Sequence, residues 1–146
     1  MPFLIVDGHS VIHAWPDLAR LHRTASKRHL ARSELLKRLR LLQDMTGDRV
    51  VVVFDGTGSR TSEEREQQGL QIFYADAKAT ADTVVERLAV RYAPTHRLTV
   101  ASADGMVRDS ILASGAEWIS PEMLQLRCNQ AAAQCAAEVN RLRNDR

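Results

Sequence analysis

At 146 residues the chain has the length of one domain, enough to bury a core without disulfides or a structural metal. Its composition, 45% apolar and 26% charged, is that of an ordinary globular protein in water. No apolar run approaches the roughly 18 residues of a membrane span, and no basic-then-apolar leader opens the chain, so a cytoplasmic protein without a membrane partner is expected.

Cys128 and Cys135 stand on a predicted helix about 10 Å apart along its axis, too far for a disulfide, and read as reduced. The net charge of +2 says little about partners, but its make-up says more. Seventeen of the twenty basic residues are arginine, the side chain best matched to phosphate. Arg20, Arg23, Lys27, Arg28, Arg32, Lys37, Arg38 and Arg40 fall in a stretch whose only acid is Glu34. A solvated helix face and a phosphate-backbone footprint are both consistent with that stretch.

Residues 3–6 form a short apolar run that ends in Asp7-Gly8 and predicts a first strand. Val11, Ile12 and Trp15 predict a short helix closed at Pro16. Between about 26 and 45, Leu30, Leu35, Leu36, Leu39, Leu41 and Leu42 recur near helical spacing, and Gly47 follows as a stop. Val50-Val51-Val52-Val53-Phe54 is β-branched and does not alternate, as a central strand covered on both faces requires, and it ends in Asp55-Gly56. Residues 57–62 read as a polar loop, followed by a charged segment at 63–66. Residues 70–74 predict a third strand. Thr80 caps a predicted helix through Val84, Val85, Leu88 and Tyr92. Residues 97–101 predict a fourth strand, followed by Asp104 and a helix through Val107 and Ile111, and 116–119 a short fifth. Ser120-Pro121 opens a last, alanine-rich helix with a frayed tail. Strands alternating with helices predict an α/β fold: three α/β/α layers around a central, mostly parallel five-stranded sheet. The domain is expected over residues 1–126, with residues 120–146 a C-terminal helix and tail packed on it.

Function in such sheets collects outside the carboxyl ends of the strands, where strand order reverses. Asp7 ends the first strand, Asp55 the second, Asp104 follows the fourth, and Asp82 opens the helix after the third with Glu86 one turn on. Any one of these is an ordinary turn or cap residue. Four carboxylates sent to one edge repel each other unless a cation neutralises them, and oxygen ligands favour Mg²⁺ or Mn²⁺ over zinc. Such ions suit phosphoryl chemistry.

The set Leu4-Ile5-Val6-Asp7-Gly8-His9-Ser10-Val11-Ile12, Val50-Val51-Val52-Val53-Phe54-Asp55-Gly56, Thr80-Ala81-Asp82-Thr83-Val84-Val85-Glu86-Arg87-Leu88 and Ala101-Ser102-Ala103-Asp104 resembles the YacP-like branch of the NYN domains, within the PIN-like nuclease superfamily. The resemblance spans roughly residues 3–126 and rests on order and spacing together. It implies a PIN-like sheet and an acidic cluster holding one or two Mg²⁺ or Mn²⁺ ions. It also implies hydrolysis of RNA to 5′-phosphate and 3′-hydroxyl ends, some relatives being endonucleases that act on the ribosome; RNA and the ribosome are thus the expected partners. Carried over, Asp7, Asp55, Asp82 and Asp104 are the catalytic ligands, with Glu86 in the outer shell. Many relatives read Asp-Gly-Tyr-Asn where this chain has Asp7-Gly8-His9-Ser10; the asparagine is expected to orient a ligand or phosphate, and Ser10 reaches less far.

Other residues carry two readings. Ser10, His9, Ser102, Arg60 and the arginines Arg23, Arg28 and Arg32 are candidate substrate contacts, although Ser102 serves the turn equally well and Arg60 sits in what reads also as an ordinary loop. His9 and His13, four apart, invite a zinc pair, but no third ligand stands at useful spacing; His9 is read as touching phosphate and His13 as structural. Trp15 and Trp118 are read as core. Without a Gly-x-Ser-x-Gly elbow a serine nucleophile is not expected, and without a phosphate-binding Gly-Lys loop neither is a nucleotide cofactor. The leading expectation is a metal-dependent endoribonuclease. Its rivals are a non-catalytic RNA- or ribosome-binding module and a small-molecule phosphatase.

Overall fold

The computed structural model describes residues 2–56, 62–65, 69–75 and 80–145. Among them the chain runs β1 (Phe3–Asp7), α1 (Gly8–Ala14), α2 (Pro16–His22), a 3-10 turn (Ala25–Lys27), α3 (Arg28–Thr46), β2 (Arg49–Asp55), β3 (Ser62–Arg65), β4 (Gln71–Ala75), α4 (Ala81–Tyr92), β5 (Leu98–Ala101), α5 (Gly105–Ala113), β6 (Glu117–Ile119) and α6 (Pro121–Asn144). The sheet order is β3-β4-β2-β1-β5-β6. Five strands are parallel, as expected. A sixth, β3, pairs antiparallel with β4 at the edge, in the stretch read from sequence only as charged. Its composition hides it: Ser62-Glu63-Glu64-Arg65 has no apolar alternation, because an edge strand gains its pairing from one neighbour's backbone.

Alternation along each buried strand splits the core in two. Leu4 and Val6 of β1, and Val50, Val52 and Phe54 of β2, face a cluster closed by Val11, Trp15, Leu18, Leu35, Leu39, Leu124 and Cys128, so α1, α2, α3 and α6 form one outer layer. Ile5, Val51 and Val53 face the other way, onto Val84, Val85, Ala89, Val107 and Ile111 of α4 and α5. This double coverage explains why β2 reads as an unbroken valine run.

The short first helix does close before Pro16, at Ala14, and Pro16 then opens α2 as the first residue of a second helix that the sequence did not announce. A proline lacks only an N–H that the first turn leaves unbonded anyway. Between the two helices Trp15 is fully buried, and its Nε1 donates to the Pro121 carbonyl at 2.8 Å, tying the α1–α2 corner to the start of α6. Arg38 lies over the same indole, 5.5 Å from the ring centre, and is ion-paired to Asp17 and Glu34. Gly47, at φ +77°, closes α3 in the left-handed conformation expected of it. Among the described residues no helix is long and apolar enough to cross a membrane.

Candidate active site at the carboxyl edge

Strand order reverses beside β1: β2 and β4 lie to one side, β5 and β6 to the other. Asp7, the last residue of β1, therefore sits at the crevice where α/β sheets place their ligands. It is 3% exposed, one of the two buried polar residues among those described; the other is Ser102. The chain turns directly from Asp7 into α1, and Gly8 makes that possible. A Cβ at this position would run into the Phe54 ring and come within 3.1 Å of the Val53 carbonyl.

Three carboxylates form a hydrogen-bonded series. Asp7 bonds to Asp82, the second residue of α4, and Asp82 bonds in turn to Asp104. Ser102 holds both ends from beneath: its Oγ donates to Asp7 Oδ2 at 3.3 Å and accepts from the Asp104 amide at 3.1 Å. Ser102 is itself fixed by Trp118, whose Nε1 donates to the Ser102 carbonyl at 3.0 Å. Asp104 caps α5, with Oδ1 accepting from the amides of Met106 at 2.8 Å and Val107 at 3.3 Å.

Those partners set the charges. Burial raises the Asp7 carboxyl to about 7, assisted by Asp82. Burial also raises Asp82, and its carboxylate neighbours Asp104 and Asp55 add to this. The amides at the start of α5 lower Asp104. With Asp104 lowered and Asp7 and Asp82 raised, Asp104 is the first of the three to ionise in the absence of a cation.

Asp55, at the end of β2, is held apart from this series. Its Oδ1 accepts from the Ala81 amide at 2.8 Å, which fixes the entry to α4, and its Oδ2 meets His9 Nδ1 at 3.1 Å. Ser10 Oγ accepts from the Ala103 amide at 2.6 Å, so its hydroxyl oxygen braces the loop between β5 and α5.

These groups line a cleft of about 690 Å³ whose walls differ in chemistry. Asp7, Asp55, Asp82 and Asp104 come to it from the ends of β1 and β2 and the starts of α4 and α5; His9, His13, His22, Arg28 and Arg32 come from α1, α2 and α3. His13, read from sequence as structural, is exposed in this cleft. His22, which lies in the basic stretch of the sequence, was not read as a site residue, because it comes from the far end of α2 and only the α1–α2 corner brings it beside His13, with ring centres 4.8 Å apart. Desolvation, then His13, Arg28, His9 and Arg32, lower the His22 imidazole. Glu86 and Arg23 are not among the lining residues, and Ser102 lies beneath the cleft. Arg60 lies outside the described residues.

The donor set is oxygen-rich where the carboxylates meet. Among the described residues, however, no three His, Cys, Asp or Glu side chains stand ready as a closed metal cage. Asp104 Oδ1 is engaged with its helix, and Asp7 with Ser102 and Asp82.

The profile of the YacP-like NYN domain matches residues 4–146. An uncharacterized YacP protein of Bacillus subtilis (strain 168) is 34% identical over 90 residues, which are 61% of this chain and 52% of the relative. The matched stretch thus spans about half the length of that curated relative. The crystal structure of Rae1 (YacP) from Bacillus subtilis superposes with a TM-score of 0.82 at 26% identity, covering 99% of this chain and 83% of the other. A mutant form of the same protein gives 0.83 at 28%, covering 99% and 85%. The chain belongs to the YacP-like NYN domain family.

Proposed function

We propose that the chain is an endoribonuclease that hydrolyses RNA phosphodiesters with Mg²⁺ or Mn²⁺ held at Asp7, Asp82 and Asp104. The observation that carries this reading is the series of three linked carboxylates at the strand-order reversal, one of them buried and held near neutrality in its ionisation. A buried acid whose ionisation is raised beside other carboxylates is a recurrent mark of functional sites. Oxygen-only donors suit a hard divalent cation, and Mg²⁺ is usually bound by one or two carboxylates together with substrate phosphates rather than by a closed protein cage. That preference agrees with a site in which no three ligands are yet assembled. When bound, such an ion supplies an activated water and neutralises phosphate charge.

The protein's own residues do the rest. Ser102 orients Asp7 and, through the Asp104 amide, the turn that presents Asp104. Asp55 anchors α4 and so positions Asp82, while His9 is held at the mouth by Asp55. Arg28 and Arg32 draw the RNA backbone across the cleft. RNA, ribosome-bound RNA included, is the proposed partner in the cytoplasm; no membrane or nucleotide cofactor takes part.

The test is cleavage of a labelled single-stranded RNA in Mn²⁺ by the wild type and by the Asp7→Asn/Asp82→Asn double variant, with folding checked by circular dichroism. A loss of about 100-fold or more is expected, as for removal of preorganised charge-stabilising groups. Equal rates would exclude the mechanism. One observation favours a second reading, RNA binding without turnover: the Ser10 oxygen, which replaces the asparagine of many relatives, is already engaged by Ala103. It predicts normal RNA affinity and no metal-dependent cleavage.

A further inference from the structure

The wall of the cleft built by α1, α2 and α3 invites a metal assignment, because the structure supplies the third histidine that sequence spacing lacked. His22 lies 5.9 Å from His9 and 4.8 Å from His13, ring centre to ring centre. Charge argues against it. Arg28 and Arg32 line the same wall, and both act electrostatically on His22. Two permanent guanidinium charges repel a cation and attract an anion. No three of these side chains are arranged to hold a metal, either. The wall also has its own architecture: Arg28 Nε donates to the His22 carbonyl at 3.1 Å, which joins the end of α2 to the start of α3 and keeps the guanidinium beside the imidazoles. Arg38, by contrast, is committed to Asp17 and Glu34 over Trp15.

Building on the nuclease reading, we propose that His13, His22, Arg28 and Arg32 form a phosphate sub-site separate from the carboxylates, which holds a second phosphate of the RNA strand being cut. The cleft would then take the strand between an acidic wall, where one phosphate is cut, and a basic wall, where another is gripped. Its volume of about 690 Å³ suits a few nucleotides of single strand. A-form duplex would have to present its grooves by shape, whereas a single strand threads its backbone into a pocket. His13 and His22 thus join the arginines as ligands of that second phosphate.

The experiment measures binding of a 5′-labelled single-stranded RNA by fluorescence anisotropy in EDTA, so that no strand is cut, across a series of salt concentrations. Wild type is compared with Arg28→Gln/Arg32→Gln, with His13→Gln/His22→Gln, and with Arg141→Gln at the far end of α6 as a control for charge. The arginine variant is expected to bind at least tenfold more weakly. Its log–log salt slope should shrink by about 1.4, two single-strand phosphate contacts at roughly 0.7 each. The histidine variant is expected to lose about fivefold, and the control less than twofold. Melting curves check the fold, and Arg32→Gln alone, which leaves the Arg28–His22 contact intact, serves if the double variant is unstable. A strand bearing a free 5′-phosphate is run beside one with a 5′-hydroxyl: equal affinities assign the sub-site to internal phosphates, and a much tighter phosphorylated strand assigns it to strand ends.

If the wild type binds and cleaves RNA while both wall variants keep its affinity and salt slope, the sub-site is wrong and the nuclease reading survives. If the wild type neither binds nor cleaves RNA, the nuclease reading fails, and the sub-site fails with it. Stoichiometric Zn²⁺ binding that His13→Gln/His22→Gln abolishes would overturn the sub-site in favour of a metal site.

Discussion

Replacing Asp7 with asparagine should stabilise the metal-free protein above neutral pH while destroying its activity. Burial raises this carboxyl from 3.8 to about 7. The folded chain thus keeps a proton that the unfolded chain has released, and stability falls as pH rises from about 4 to about 7 before levelling off. The displacement corresponds to about 4 kcal/mol as an upper bound, and the interaction with Asp82 leaves about 2–4 kcal/mol to be measured. An asparagine keeps the geometry: its oxygen accepts from Ser102, and its amide donates to Asp82 as the protonated acid does. Urea unfolding followed by tryptophan fluorescence, in EDTA over a pH series, reads this directly. Near pH 4 wild type and variant should agree within about 1 kcal/mol, and near pH 8 the variant should be the more stable by about 2–4. A difference that stays flat across the series, or a variant less stable near pH 8, would refute the buried, raised carboxyl.

Trp15→Phe removes the donor to the Pro121 carbonyl and should cost about 1–3 kcal/mol in the same assay, with a lowered midpoint and little change in slope. Gly8→Ala pushes a methyl group into Phe54 and should cost about 1–3 kcal/mol, and it should also slow cleavage, since the turn it disturbs carries Asp7. Ser102→Ala frees both Asp7 and the Asp104 amide; a cleavage rate reduced about tenfold or more, with RNA affinity unchanged in EDTA, is expected, and an unchanged rate would remove Ser102 from the site.

The elements legible in the sequence are those whose residues face the core. The valine run of β2 announces a strand covered on both sides, and the aspartates at the ends of β1 and β2 mark the carboxyl edge because the chain must turn there. Thr80 and Ser120 cap the helices they were expected to cap. What stayed hidden depends on tertiary placement. Strand β3 is held by its pairing with β4 and has no pattern of its own. Helix α2 was concealed by a proline that both stops and starts helices. His22 becomes a cleft residue only when α2 folds back across α1, so spacing along the chain carries no sign of it. Asp55 is the weakest of the four ligand readings in the sequence, and its oxygens hold the Ala81 amide and His9, a role visible only in three dimensions.

The most direct test of the acidic edge is a crystal soaked in Mn²⁺, with anomalous scattering used to find the ion. Density in contact with Asp7, Asp82 or Asp104, absent from the Asp7→Asn/Asp82→Asn variant, is the predicted result. Manganese bound elsewhere, or no density there in a crystal of active protein, would contradict a metal-dependent site at this edge.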